Sequence, residues 1–554
     1  MPAHLREFEI STDHAMKKVI TIFLSILVLI VSIRSSRFLF QSLDWSLAYC
    51  IDMVLMKYFA WSLDRGIWPY TDVHTYNLPM TIYLNWFALK IFGNSSWGFR
   101  LLDVSWLIFL SGLTFLYLKE KVSNLLIAII GSALCLTLSE NATNFGAFQR
   151  ETIMLPFWVL SLIFFERIRK NYKQNLYGFW LGFCICISVL VKPTGFLLLL
   201  FILIMILFEK KRNSVFSIKE SLFLFFFIFI GGIVVLFSSL LPFILHGKLL
   251  VSFQGWLEYF KDLSLSLEIL SPVELIRGIF TFSPRHWFIP LNEPIMEFKS
   301  NGHLSLFHFC LIIIYLILLF LRKIDVGPLL ILVSGLLNYL IQAKGFAYHL
   351  FPVWFACLLI MVMLVDFFYK ISLSEKKWQR WVSVFAIFVI GITVINQQSK
   401  SLRLYRGTEL YADFNQTKKE PHKIEILETL KKIDSEIKNK PTKIQIFEAY
   451  HSVTLNSIMD QNMVLVSKYP EAYIFYNESP LMDKYKTDMV NSLNANKPDI
   501  IVLNKEGTFR VKKDLFLTFP GLAQFLKDYK LEKEIKEINN VTYSIYTLDR
   551  EKKN

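Results

Sequence analysis

The 554 residues are 54% hydrophobic and only 19% charged, with 51 Phe and a net charge of +14. A soluble chain carries roughly 45–50% apolar and ~25% charged residues, so an ordinary globular protein is excluded. Much of the positive charge sits in short loops between apolar blocks, which argues against a nucleic-acid partner, and six cysteines without CxxC or HxxxH spacing support neither a disulfide framework nor a cysteine metal site.

Apolar blocks of about 16–25 residues, the length that crosses a hydrocarbon core as a helix, predict spans at 17–34, 98–118, 123–139, 151–166, 175–191, 195–208, 219–243, 304–321, 326–342, 348–369 and 378–396. The first follows Lys17 and Lys18 and is followed by Arg34 and Arg37 without a small-residue cleavage site, so it reads as a retained anchor. Loops Lys119–Lys121, Arg167–Lys173, Lys210–Lys219, Arg322–Lys323 and Lys370–Arg380 are basic. Every second loop is therefore basic, which predicts eleven crossings with the N-terminus cytoplasmic and the C-terminus external. Residues 78–93 are apolar as well, but a crossing there would put the later basic loops outside. A horizontal or re-entrant helix over 79–92 is expected instead, within a large first external loop, 35–97. Such segments are tolerated where they are buried in protein or line a cavity.

A second large external loop, 246–303, carries the amphipathic stretch Trp256–Leu265 and is punctuated by Pro272, Pro284, Pro290 and Pro294. Residues 398–554 alternate helical patterns (Ile424–Ile437, Leu522–Leu531) with short apolar strands (Ile444–Glu448, Val464–Ser467, Asp499–Leu503, Thr542–Thr547). The fold class expected is a polytopic α-helical membrane protein with a transmembrane domain, 1–397, and a C-terminal soluble α/β domain, 398–554.

This topology gathers four polar groups at the outer face. The first loop holds Asp52, Asp64, Arg65, Tyr70 and Asp72; Gln149, Arg150 and Glu151 stand at the mouth of the fourth span. Lys192, before Pro193, ends the fifth span, and Gln342, Lys344, Tyr348 and His349 lie between the ninth and tenth. Any one of these cations could be an interfacial residue with a snorkelling stem. Short external linkers should be poor in Lys and Arg, however, and Lys192 and Lys344 occupy two of them. An ionisable group at membrane depth costs ~2.5–3.5 kcal/mol on insertion scales and points to function. Basic groups beside carboxylates suit an anionic lipid head group, since phosphate takes Lys and Arg as charge-assisted donors and a carboxylate can act as general base. Cys184 and Cys186, inside an apolar span, read as packing residues, and His286 as a loop histidine.

Asp52, then Gly66-Ile67-Trp68-Pro69-Tyr70-Thr71-Asp72, Pro79, Phe92-Gly93-Asn94-Ser95 and Arg100 resemble the first-loop signature of the GT-C membrane glycosyltransferases. The branch they resemble is glycosyltransferase family 39, with its protein O-mannosyltransferases, lipid A aminoarabinose transferases and rhizobial galacturonosyltransferases. Phe148-Gln149-Arg150-Glu151, Gly182-Phe183, the run 189–194 ending Lys192-Pro193-Thr194, and the run 342–349 ahead of Pro352 follow in the order expected. The resemblance covers most of 17–370, and the C-terminal domain is similar to those of bacterial members.

The resemblance implies transfer of a sugar from a polyprenyl-phosphate donor to a lipid, glycan or protein acceptor, externally and with inversion. It implies Asp52 as the base at the acceptor and Asp72 as a supporting acid. Arg150, Lys192, Lys344 and His349 would hold the lipid phosphate, with Tyr70, Gln149, Glu151, Gln342 and Tyr348 around the substrates. Met53 follows Asp52 where many members carry Glu, which weakens a two-carboxylate or metal-assisted mechanism; Leu78-Pro79 replaces a Pro-Pro pair; Asp44 is a rival base. No metal-ligand set is visible, and a divalent metal stays open. The low cysteine count and external domain suit a bacterial inner membrane with a periplasmic domain, although the sequons at Asn415 and Asn540 would be glycosylatable in an endoplasmic reticulum. Two other readings are a transporter or flippase of a lipid-linked saccharide, and a membrane scaffold that presents the C-terminal domain.

Overall fold

The computed structural model describes residues 3–43, 51–75, 77–138, 148–170, 173–213, 218–263, 306–342, 347–374, 376–407, 421–437, 441–447, 453–470, 481–504, 520–536 and 542–550. In chain order the helices run α1 (Ala3–Leu43), α2 (Ile51–Asp64), α3 (Pro79–Phe92), α4 (Ser96–Lys119), α5 (Leu125–Cys135), α6 (Arg150–Arg169), α7 (Gln174–Val191) and α8 (Leu197–Asn213). Next come α9 (Ile218–Leu245), α10 (Leu249–Leu263), α11 (Leu306–Phe320), α12 (Gly327–Gln342), α13 (Phe351–Ser372) and α14 (Lys377–Gly407). The C-terminal part adds α15 (Pro421–Glu436), β1 (Lys443–Phe447), α16 (Val453–Asp460), β2 (Val464–Leu465), α17 (Met482–Ala495), β3 (Ile500–Asn504), α18 (Pro520–Phe525), β4 (Tyr529–Lys536) and β5 (Thr542–Leu548). The chain divides into two compact units, one of Met1–Asp44, Leu101–Phe237 and Ile269–Tyr411, the other of Trp45–Arg100, Ser238–Glu268 and Ala412–Asn554.

The first unit is a helix bundle, and the protein is an integral membrane protein. Among the described residues, Met16–Phe40, Trp97–Lys119, Gln174–Val191, Lys219–Leu245, Phe351–Ser372 and Lys377–Ile395 are long and apolar enough to cross a membrane. Leu125–Cys135, Pro193–Phe208, Phe307–Phe320 and Gly327–Gln342 are shorter apolar helices. Helix α6 falls outside both groups because its ends are charged, with Arg150 and Glu151 at one and Glu166, Arg167 and Arg169 at the other. Helix α13 is the axis of the unit: 78% of its apolar window is buried, against 22% for α1. Close approach elsewhere depends on glycine. A Cβ at Gly182 on α7 would stand 1.8 Å from the Ile228 carbonyl oxygen of α9, and one at Gly231 would stand 2.0 Å from the Phe179 oxygen of α7. Small residues let helix backbones touch in this way.

Loops expected to be simply basic are in fact paired. Lys121 Nζ lies 2.7 Å from Glu166 and 2.7 Å from Asp325, and Arg169 lies 2.9 Å from Glu166. Tyr117 and the Gly327 N–H each donate to Asp325 Oδ1 at 2.9 Å. Burial works against ionising Asp325, but the Lys121 charge and these donors outweigh it and hold the carboxyl below its usual range. Asp366 of α13 accepts from both the N–H and the hydroxyl of Ser123 at 2.6 Å. One end of the bundle is thereby cross-linked through four helices or their loops.

The second unit centres on a five-stranded sheet of order β2-β1-β3-β5-β4, with β1 parallel to β2 and β3, and β5 antiparallel to β3 and β4. Its core includes Phe447, Tyr469, Tyr485, Met489, Leu493, Ile501, Leu503 and Tyr529. The four expected strands overlap β1, β2, β3 and β5. The expected helix Leu522–Leu531 is corrected: α18 ends at Phe525, a short turn covers Leu526–Asp528, and β4 begins at Tyr529. β4 hides from a sequence reading because a bulge between Leu531 and Lys533 breaks its alternation, and its edge carries Lys and Glu. Such charges protect a sheet edge from further pairing.

The same unit contains α2 and α3. The helix expected over 79–92 is present, started by Pro79 in its first turn and closed by Gly93 at φ +68°. In the second loop, α10 occupies Leu249–Leu263. His286, Lys344 and the four loop prolines lie outside the described residues.

Candidate functional site

Four helix ends of the first unit meet around one carboxylate. Helix α6 opens after Gln149, whose extended backbone (φ −68°, ψ 155°) precedes the first turn, so Glu151 lies in that turn. Helix α7 stops at Val191 because Pro193 cannot continue it, which leaves Lys192 extended at φ −154°, ψ 130°. Helix α12 ends on Gln342, and a short turn, Ala347–Leu350, carries His349 to the start of α13. Lys192 Nζ donates to both Glu151 Oε1 and the Gln342 side-chain oxygen. His349 Nε2 stands 3.7 Å from the same Glu151 oxygen. Gln342 Nε2 donates to the Asn338 carbonyl at 2.9 Å and to Asn338 Oδ1 at 3.0 Å, while Asn338 Nδ2 donates to the His349 carbonyl at 3.2 Å. Thr194 completes the ring by donating to Asn338 Oδ1.

The cluster is dry. Glu151 and Asn338 are 0% exposed, His349 1% and Lys192 5%. Glu151 Oε2 is buried with no hydrogen-bond donor among the described residues, and a carboxylate oxygen in that position is a site where a hydroxyl could donate. Glu151 holds Lys192 in place, so the lysine's charge is aimed but neutralised. An incoming phosphate group would compete with Glu151 for it.

Of the expected site residues, the structure brings Lys192 and His349, expected at the phosphate, together with Glu151 and Gln342, expected around the substrates. Gln149, 4% exposed, stands two residues before Glu151, and Arg150, the first residue of α6, is part-buried. Tyr348 lies in the turn beside His349, and its side chain is outside the described residues, as is all of Lys344. Three members escaped the sequence reading. Asn338 is a polar residue in an apolar helix one turn before Gln342, a spacing that could have found it. Thr194 follows the Lys-Pro pair. Asp103 of α4 accepts from the Phe148 N–H at 2.8 Å and so fixes the entry to α6.

The first-loop residues belong to the other unit. Asp52 is in the first turn of α2, and its side chain lies outside the described residues. Asp72 closes the turn Trp68–Val73: its Oδ2 accepts from the Trp68 N–H at 2.9 Å and its Oδ1 lies 3.4 Å from Lys248. Tyr70, at φ +69°, donates its hydroxyl to the Asn77 carbonyl. The turn is seated on Phe243 and His246, whose rings lie 5.4 and 4.5 Å from that of Trp68. Replacing Asp72 by Asn keeps an acceptor for Trp68 and gives up only a part-exposed ion pair. The expected loss of stability is therefore below about 1 kcal/mol by thermal unfolding. A much larger loss of transfer at that stability would assign Asp72 a chemical role. Lys57, also unforeseen, is 1% exposed on α2; burial draws its amine down to about 8 against the opposing charge of Asp460. Among the described residues no group of three or more His, Cys, Asp and Glu is placed to hold a metal ion.

Residues 74–239 match the sequence profile of the family described as dolichyl-phosphate-mannose-protein mannosyltransferase. No curated protein sequence matches the chain. The crystal structure of ArnT from Cupriavidus metallidurans in the apo state is similar at a TM-score of 0.50 and 11% identity, over 97% of this chain and 99% of that one. The same protein bound to undecaprenyl phosphate gives 0.49 and 11%, over 95% and 98%. The Archaeoglobus fulgidus oligosaccharyltransferase in complex with Zn and sulfate gives 0.46 and 12%, over 94% of this chain and 72% of that one. At such identities the likeness to ArnT is one of fold. By that fold and by its sequence over 74–239, the chain resembles the GT-C membrane glycosyltransferases of protein-mannosyltransferase type.

Proposed function

We propose that this protein is a polyprenyl-phosphate-sugar-dependent glycosyltransferase acting on the external face of a bacterial inner membrane. The observation that carries the reading is the buried Lys192–Glu151–His349–Gln342 cluster, within a chain that matches a dolichyl-phosphate-mannose-dependent family over 74–239. In the proposed topology the N-terminus is cytoplasmic, the chain crosses eleven times, and residues 398–554 are periplasmic.

In the proposed reaction an acceptor hydroxyl attacks the anomeric carbon of the donor sugar from the side opposite the phosphate. The bond from that carbon to the phosphate oxygen breaks, the configuration inverts, and the hydroxyl proton passes to Asp52. Polyprenyl phosphate leaves with one more negative charge than it carried as a diester. Lys192, Arg150, Lys344 and His349 stabilise that charge, which is the kind of electrostatic contribution that usually dominates such catalysis. Glu151 keeps Lys192 extended until the phosphate replaces it as partner, and Asp72 holds the turn of the first loop. Sugar, acceptor and prenyl length are for experiment to name.

Glycolipids and glycoproteins from cells with the wild-type protein, without it, and with Asp52→Asn test the reading. A single sugar absent from the second and third samples is the expected result. No difference among the three would overturn it, and a lipid-linked sugar lost only without the protein would favour the flippase.

A further inference from the structure

The first loop is held by the C-terminal sheet domain, although some four hundred residues of chain separate them. Helix α16 packs on α2. At that junction the Asp460 charge faces Lys57, Asn94 Nδ2 donates to Asp460 Oδ1 at 3.2 Å, and Arg65 Nε donates to Asn462 Oδ1 at 2.9 Å. The Arg65 guanidinium in turn lies 3.9 Å from the centre of the Trp61 ring of α2. Between α2 and α3, His74 leaves the loop altogether. Its N–H donates to the Lys468 carbonyl at 2.6 Å. Its ring lies 5.5 Å from that of Tyr469 and 5.3 Å from that of Tyr485, and the two tyrosines are 5.6 Å apart. Tyr469 and Tyr485 are core residues of the sheet domain. His74, part-buried, therefore packs its ring against an aromatic core of that domain.

We propose that the C-terminal domain is a positioning clamp for the first loop and that His74 is its acid-sensitive latch. The clamp acts on the segment that carries Asp52, so its bearing on sugar transfer rests on the transferase reading, while the latch itself does not.

The charges around the ring favour its neutral form. Lys468 lies beside Tyr469; Lys484 and Asp488 stand on α17; Glu258 stands on α10. Asp488 is engaged by the Tyr469 hydroxyl and by Lys468, each at 3.0 Å, and Glu258 is paired with Lys484. The acids are thus committed to other partners. Burial, followed by the charges of Lys468 and Lys484, lowers the imidazole from 6.5 to about 3. A histidine whose docked pKa lies below its free value contributes fully above the free value and less as pH falls beneath it. Docking should therefore be complete above about pH 6.5 and weaken by up to tenfold per pH unit below, reaching about 30-fold at pH 5.

Hydrogen–deuterium exchange on the full-length protein in nanodiscs at pH 7.5 and 5.0, corrected for intrinsic exchange, reads this directly. Protection of α2 and α3 peptides should fall by up to about 30-fold at pH 5.0 while α13 peptides hold theirs. His74→Phe, which keeps a ring and loses the titrating nitrogens, should remove the pH dependence, and His74→Ala should leave α2 and α3 weakly protected at both values. Equal wild-type protection at both pH values, or an equal fall in His74→Phe, would overturn the latch. The readout is exchange and not sugar transfer, so it stands or falls independently of the enzymatic assignment.

Discussion

Lys192→Met is expected to cost about 3–5 kcal/mol of stability, because it strands the Glu151 carboxylate, 0% exposed, without its cation. Adding Glu151→Leu removes the stranded charge, and the double variant should recover most of the loss, since replacing a whole buried ion pair by apolar groups is often neutral. Thermal unfolding in detergent measures both numbers. Transfer activity then separates the two uses of the lysine. If Lys192 meets the lipid phosphate, the double variant is stable and inactive. Stability and transfer returning together would reduce the pair to a structural tie between α6 and α7.

A comparable loss is expected from a far smaller change. Gly182→Ala places a methyl group 1.8 Å from the Ile228 carbonyl oxygen, and backbone cannot rotate away as a side chain can. The α7–α9 contact must open, at about 3 kcal/mol or more. Gly231→Ala should behave alike, against the Phe179 oxygen at 2.0 Å. Gly112→Ala is the control: nothing lies within 4 Å of its Cβ position, so the same substitution on α4 should leave stability unchanged or slightly raised. Folded fraction after graded heating separates the three.

The helical stretches, Pro79–Phe92 among them, were legible because a long apolar run has few other uses. Strand β3 was legible as a continuous apolar run, as a strand buried on both faces requires, and β1 as a short apolar segment broken only by Gln445. What failed was partnership. Glu151 stood out as a polar residue, but nothing in one sequence says that it is the counter-ion of a lysine on the next helix. Asn338 gains its role only through Thr194 and His349, which a sequence does not place beside it. The engagement of His74 with Tyr469 and Tyr485 spans too much chain for any local pattern to announce it. Charged strand β4 failed for the opposite reason, since its alternation is broken where the bulge falls.

The Asp325 network bears on how the bundle could move. Glu151 and Glu166 sit about 22 Å apart along α6, at ~1.5 Å of rise per residue. At the Glu166 end Lys121 bridges the buried Glu166 and the part-buried Asp325, which belong to different helices or loops, and Asp366 ties α13 to the approach to α5. A carrier that exposed its cargo alternately on two sides would have to break and remake these contacts on every stroke. An enzyme that admits its lipid substrate from one side needs no such stroke. For it the stitched end can stay closed while the Lys192 end meets the lipid phosphate.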